Sequence, residues 1–348
     1  MVRIGDIDRF VFIVGAPRCG TTTLSHFLKA HPSVSSPVVK EPHFFAQNDL
    51  RTIPDAELRS RIEGEYLRRF FRPEPTRRVA IDASVTYLYT PEQLEPILRL
   101  WPDSRFIVSL RDPLTMLPSL HKRLIYIGDE TIVQFDKAWA AVPARRRGQR
   151  IPRRCADPRW LLYDEAARFS TYLERLFATV GRERCLVLLF DDLVADPARQ
   201  YRSLMAFAGL EPVPWTDFSA RRSSYGVRSR FLQRILKRPP QAMRNFFAGE
   251  QFRERMRDLN ADPSSPTKTL LSLRKRLLRW NRVAAPSEPL EPEIRQEICR
   301  TFEGEIDRLG TLLGRDLSHW CMAEPPVDMR DGDRRQVAES ARTAAASR

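Results

Sequence analysis

Four short apolar runs stand out along the chain, at 10–14 (FVFIV), 79–81 (VAI), 105–110 (RFIVSL) and 185–190 (CLVLLF), each ended by glycine or polar residues. Runs of this length fit strands buried on both faces of a parallel sheet. Between them the spacing changes. In 22–31, Leu24, Phe27 and Leu28 share one helical face, and the pattern stops before Pro32. A further helix is expected at 172–180. Near the end Ile294, Ile298, Phe302, Ile306 and Leu309 mark a long amphipathic helix, with Gly314 as its C-cap. Strands alternating with helices predict an α/β protein with a doubly wound parallel sheet flanked by helices, one domain over 1–322. No internal repeat is visible. Ligands in such sheets bind beyond the carboxyl ends of the strands, and Gly15 and Arg111 both sit directly after one. Two irregular basic stretches, 121–160 and 219–245, are expected to be flaps over that edge. The polar, Pro/Ala-rich 323–348 reads as a disordered tail.

Composition narrows the class. The 348 residues are 42% hydrophobic and 29% charged, as in a soluble globular protein, with ample length for a core. No apolar stretch approaches the roughly 20 residues that span a bilayer. The opening MVRIGDIDRF has no apolar signal core, so a cytoplasmic location is expected. A net charge of +14 favours anionic partners: a nucleotide, an acidic glycan, nucleic acid or a membrane surface. An arginine-rich solvated surface accounts for it equally well. The five cysteines, at 19, 155, 185, 299 and 321, are scattered and odd in number, which suggests reduced thiols rather than disulfides or a zinc site.

The stretch "FVFIVGAPRCGTTTLSHFL" carries the chemistry. A strand runs into Gly15, four residues follow, then Gly20 and a hydroxyl-rich helix start, so the fold is expected to be P-loop-like. A nucleotide-hydrolysing loop of this spacing places lysine after the second glycine, to reach the β/γ-phosphates. Here that position is Thr21, and the nearby cation is Arg18, inside the loop. The amides of Cys19, Gly20, Thr21 and Thr22 can still cradle an anion at the positive end of the helix. Hydroxyls at Thr21, Thr22 and Thr23 add donors, and Arg18 adds a fork that grips two oxygens. Losing the lysine argues against a γ-phosphate and against Mg²⁺-dependent kinase chemistry.

Together "GAPRCGTTTLSHFLKAHP" and "KEPHFF" resemble the 5′-phosphosulfate loop of sulfotransferases that use 3′-phosphoadenosine 5′-phosphosulfate (PAPS), in the heparan-sulfate-type and bacterial carbohydrate branch. The resemblance runs over about residues 8–322. It implies that Arg18 and the Gly-Thr-Thr segment hold the 5′-phosphosulfate, with Arg18 where many members have lysine. "RFIVSLRDPLTMLPS" matches the family's second signature, implying that Arg111 and Ser119 bind the 3′-phosphate. "DASVTYLY", "LLFDDLVADPARQYRSLMAFAGL" and "GRDLSHW" are further family-like segments. Ala46 replaces an acidic residue found there in heparan 3-O-type members, and Asp82-Ala83-Ser84 replaces a lysine-containing element, so a heparan-like substrate is not implied. The family's basic loop over the nucleotide is not clearly matched; Arg228 and Arg230 in "SSYGVRSRF" are the candidates.

Sulfuryl transfer needs a held leaving group, stabilised charge on the moving SO₃ and a base for the acceptor hydroxyl. The leaving phosphate is already anionic, so positioning and cations suffice and no metal is expected. Arg18, helped by Lys40, is the candidate for that charge. The base should be a carboxylate or imidazole. Glu41 and His43, two apart on what reads as an extended segment, face the same side. The resemblance makes Glu41 the base and His43 its support. The acceptor is then a hydroxyl of a carbohydrate, glycolipid or small metabolite, with PAP (adenosine 3′,5′-bisphosphate) as product; oligomeric state is open. Two rival classes remain: a P-loop kinase or hydrolase with a degenerate loop, for which Asp191 and Asp192 are the weak metal-binding hint, and a nucleic-acid binder on charge alone. The basic clusters lack the interleaved aromatics of a stacking surface, so no nucleic-acid partner is expected.

Overall fold

Strand β1 (Arg9–Gly15) shows why the sheet is covered on both sides. Phe10, Phe12 and Val14 belong to one buried cluster, Val11 and Ile13 to another, and all five are fully shielded from solvent. The computed structural model describes residues 2–74, 76–153, 155–215, 218, 225–237, 273–274, 276–284 and 289–321. Strands β2 (Val34–Ser35), β3 (Val79–Asp82), β4 (Arg105–Leu110) and β5 (Cys185–Leu189) join β1 in one parallel sheet of order β2-β3-β1-β4-β5. The chain fills the β3 side of β1 first and then crosses to β4. The switch point therefore lies at the carboxyl ends of β1 and β4, where such sheets bind ligands.

Helices cover both faces, as the alternation of patterns predicts. α1 (Thr21–Lys29) and the helix Pro197–Ala208 lay Leu24, Phe27, Leu28, Tyr201, Leu204 and Met205 on Val11 and Ile13. α2 (Pro113–Ile127), α3 (Phe169–Val180) and the long Pro292–Leu313 helix, α4 from here on, cover the other face, the last ending at Gly314 with a left-handed φ of 63°. Three boundaries differ from expectation. Phe190 leaves β5 and opens a short helix, Phe190–Ala195, whose first turn carries Asp191 and Asp192, acids that favour a helix start. The helix expected at 172–180 begins at Phe169. β2 has only two residues, too few to register as an apolar run.

The basic stretch 121–160 is not an irregular flap. Its first residues complete α2, and Phe135–Trp139 and Val142–Arg146 are short helices packed on the core. Arg145 inside "ARRRGQR" is fully buried and pairs with buried Glu130 at 2.6 Å. Tyr163 donates its hydroxyl to the same carboxylate at 3.0 Å, and the Thr131 and Ile132 amides donate to its other oxygen. Much of 219–245 and all of 323–348 lie outside the described residues. Within the former, β6 (Tyr225–Val227) pairs antiparallel with β7 (Arg282–Ala284). Among the described residues no helix is long and apolar enough to cross a membrane, and all five cysteines are free.

Removing one partner of a buried ion pair leaves a charge in the interior without compensation. Arg145→Met should therefore lower unfolding stability by about 3–5 kcal/mol, while Arg147→Met on the exposed side of the same run should stay within about 0.5 kcal/mol. Denaturant titration of both variants checks this; equal effects would return the run to the surface.

Candidate active site

The loop between β1 and α1 is shaped by two glycines. A Cβ on Gly15 would stand 2.7 Å from the Leu88 side chain. Gly20 caps α1 with φ 81°, and a Cβ there would lie 2.9 Å from Leu193 and 3.0 Å from Phe190. Its left-handed backbone and its crowding both require glycine. Arg18 also has positive φ, 68°, which a bulky side chain rarely adopts. No side chain caps α1. Thr21 and Thr22, at its first two positions, have no preceding helical carbonyl to bond, so their amides are left to face an anion. Thr23 closes the turn by donating to the Gly20 carbonyl at 2.9 Å. The Cys19 carbonyl accepts a hydrogen bond from the Ser109 hydroxyl of β4. Burial pushes the Cys19 thiol up to about 12, despite Arg111 and Arg18 nearby, so it is an inert wall.

Arg111 follows β4 directly. Its Nε donates to Thr115 at 2.9 Å and its guanidinium lies over the Phe190 ring at 4.4 Å, the same ring that crowds Gly20. α2 begins at Asp112, whose carboxylate accepts from the Leu114 amide at 2.8 Å. The helix continues through Pro118 and carries Ser119 on its second turn. There Arg18 Nε donates to the Ser119 hydroxyl at 2.9 Å, joining two motifs 101 residues apart.

Lys40, Glu41 and His43 form a second cluster. Lys40 Nζ is 2.6 Å from one Glu41 oxygen, and His43 Nε2 is 3.5 Å from the other. The segment is not extended as the sequence suggests. It turns at His43 (φ 54°), which caps the short helix Phe44–Gln47, and this turn brings the imidazole back to Glu41. His43 is fixed twice from the segment after β3: its amide donates to the Ser84 hydroxyl at 2.9 Å and Nδ1 lies 2.8 Å from the Thr86 hydroxyl. Ser84 in turn donates to buried Asp82, which also accepts from Tyr66 and Tyr87. Burial raises the Asp82 carboxyl, while these hydrogen bonds work against it. Burial also works to raise Glu41, but the hydrogen bonds from His43 and Lys40 and the Lys40 charge prevail and hold it at about 2.

Arg228 and the two acids have structural partners of their own. Arg228 stands at the end of β6, its amide bonded to the Asn281 carbonyl at 2.9 Å and its guanidinium 5.6 Å from the Trp280 ring centre. It is thus supported by the β6–β7 pair rather than by the loop; the Arg230 side chain lies outside the described residues. Asp191 and Asp192 are engaged structurally: Trp320 donates to Asp191 at 2.9 Å and Arg315 forks onto Asp192 at 3.0 and 3.1 Å. The "GRDLSHW" segment is therefore a clasp on the Phe190–Ala195 helix. Sequence reasoning missed Thr86 and Phe190. A polar residue two beyond Ser84, and an aromatic at a strand's carboxyl end, were the available signals.

A profile of the sulfotransferase family matches residues 11–217, more than half of the chain and the whole span from β1 past the Pro197–Ala208 helix. The chain belongs to this family. Among its curated relatives, heparan sulfate glucosamine 3-O-sulfotransferase 3B1 of Mus musculus is 25% identical over 202 residues, covering 58% of this chain and 46% of that one. The human heparan sulfate glucosamine 3-O-sulfotransferase 6 is 27% identical over 215 residues, covering 58% and 52%. The chain spans about half the length of these curated relatives. The crystal structure of a sulfotransferase from Alicyclobacillus acidocaldarius shares its fold with a TM-score of 0.57 and 24% identity, over 90% of this chain and 98% of that one.

Two carboxyls of the site titrate with opposite sign. Burial raises Asp112 from 3.8 to about 7, the nearby Asp191 adding to it and the Leu114 amide and Arg111 opposing it. Its contribution to stability is complete below its unfolded value and is lost as pH rises through about 7. Glu41, lowered from 4.5, contributes above that value and loses the contribution as pH falls toward about 2. Asp112→Asn keeps the capping oxygen and removes the charge. Its stability relative to wild type should improve between about pH 4 and about pH 7 and then level off; a constant difference in unfolding midpoint would contradict the raised value.

Proposed function

We propose that the chain moves a sulfuryl group from PAPS to a hydroxyl of a carbohydrate, glycolipid or small metabolite by in-line displacement. The observation that carries this reading is the Arg18–Ser119 hydrogen bond, which ties the anion cradle of β1–α1 to the helix that follows Arg111. A donor with phosphate at both ends of its ribose suits two such adjoining pockets. The amides of Cys19, Gly20, Thr21 and Thr22, with the hydroxyls of Thr21, Thr22 and Thr23, hold the 5′-phosphosulfate; Arg111 and Ser119 take the 3′-phosphate. Arg228 remains a candidate for closing over the nucleotide.

In the reaction the acceptor oxygen forms a bond to sulfur while the bond from sulfur to the 5′-phosphate oxygen breaks. The electron pair leaves with the phosphate, giving PAP, and the acceptor proton passes to Glu41. Arg18 and Lys40 stabilise charge on the bridging and leaving oxygens. A carboxylate held at about 2 is a weak base, because efficiency rises as the pKa approaches the working pH. Drawing Lys40 from Glu41 to the sulfuryl oxygens removes one of the influences that hold it low, so donor binding itself strengthens the base. His43, steadied by Thr86 and Ser84, keeps Glu41 oriented. The kinase reading is disfavoured: Thr21 stands where the lysine should be, and both candidate acids are engaged by Trp320 and Arg315.

PAP should raise the melting temperature well above the shift given by ADP, since only PAP offers a phosphate to Arg111 and Ser119. Equal shifts in thermal denaturation would count against the donor assignment. Glu41→Gln should leave PAP affinity nearly intact and cut turnover by about 10²-fold or more. Unchanged turnover, followed by mass as one added sulfo group per acceptor, would move the base elsewhere.

A further inference from the structure

A cavity of about 260 Å³ opens next to this cluster. Thr86, the residue that fixes His43, is on its wall, and so is Ala46, three positions after His43. Tyr89 forms another wall, directly after the Leu88 that packs on Gly15. The cavity thus adjoins Thr86, which holds His43, and Tyr89, which follows the Leu88 packed on Gly15.

Three aromatic rings shape its interior. Tyr89 meets Trp160 with ring centres 4.8 Å apart and Tyr172 at 4.7 Å, both edge-on. The Tyr89 hydroxyl is spent on the Ala166 carbonyl at 2.9 Å, which locks the ring in place. Such a box offers apolar faces to the C–H face of a flat or chair-shaped ring. The volume lies below the roughly 300–1,000 Å³ of sites that enclose drug-sized ligands, so it suits one ring and its substituent.

Charge around the box is balanced, in a chain of net +14. Asp157 and Glu165 line it with Arg159. Arg159 forks onto Asp157 at 2.8–3.2 Å; Arg146 bridges Asp164 and Glu165 at 2.8 Å, and Arg168 reaches Glu165 at 3.1 Å. Each of these arginines already has a carboxylate. An anionic acceptor would have to displace one of these solvent-screened pairs or sit beside Asp157 and Glu165, a repulsion that an uncharged one avoids.

We infer that the acceptor is an uncharged hydroxylated ring, a neutral glycoside, with its apolar face on Tyr89, Trp160 and Tyr172 and its reacting hydroxyl directed past Thr86 to Glu41. This rests on the sulfuryl-transfer reading and narrows its substrate class away from acidic glycans.

Phenyl β-glucoside and phenyl β-glucuronide differ at C6, hydroxymethyl against carboxylate. Phenyl β-glucuronamide, uncharged but also lacking the 6-hydroxyl, is therefore offered with them to the full chain, with PAP for binding and with PAPS for turnover. The glucuronamide should be used at least about tenfold better than the glucuronide. The glucoside should have a kcat/KM at least about tenfold above the glucuronide. Trp160→Ala and Tyr172→Ala should each raise the glucoside KM by about tenfold while PAP affinity stays at the wild-type value. Equal or better use of the glucuronide overturns the inference, as does a wild-type KM in both variants. PAP affinity measured on the same samples separates the two readings. PAP binding without glucoside binding ends the acceptor inference and leaves the donor assignment standing. Trp160-dependent glucoside binding without PAP binding does the reverse.

Discussion

The close approach of Leu88 to Gly15 fixes the relation between the two halves of the site. No side chain fits at position 15 because the turn after β3 is pressed against the carboxyl end of β1. That one contact sets the phosphate loop beside the segment bearing Ser84, Thr86 and Tyr89. Ser84 and Thr86 then determine where His43 stands, and His43 helps orient Glu41. Buried Asp82 anchors the segment from behind through Ser84, Tyr66 and Tyr87. The glycine loop and the segment that lines the aromatic cavity are thus held in register by packing at a glycine.

Electrostatics complete what packing begins. The chain carries a large positive excess, yet its arginines are put to different uses. Arg145 is consumed in the interior by Glu130, and the arginines at 146, 159 and 168 are matched by acids around the aromatic box. Arg18 and Arg111 instead stand at the switch point of the sheet, one bonded to a serine and the other resting on an aromatic face. Net charge alone could not separate these roles, because it counts cations without their neighbours.

What was legible in the sequence was local. Gly15, Gly20, Arg18 and the threonine triplet are set by short-range backbone geometry, so the shape of the loop could be read directly; Arg111 and Ser119 were paired through the resemblance, and the fold brings Ser119 to Arg18. Glu41 and His43 were paired for an inexact reason: the contact is there, but a left-handed turn at His43 makes it. The aromatic box was not readable, since Tyr89, Trp160 and Tyr172 converge only after the chain has folded. The same holds for Arg145, which looked like one more exposed cation in a basic run. Periodicity reports faces of single elements and says nothing about partners brought in from distant positions.

The clasp formed by Arg315 and Trp320 reaches further than its surface position suggests. It grips the Phe190–Ala195 helix, whose first residue both crowds Gly20 and floors Arg111. Residues that follow α4, more than a hundred positions from that helix, therefore buttress the roof of the anion cradle. The segment carrying Arg315 and Trp320 acts as a keystone, and the cradle's shape is a property of the whole domain rather than of the glycine loop that gives it away.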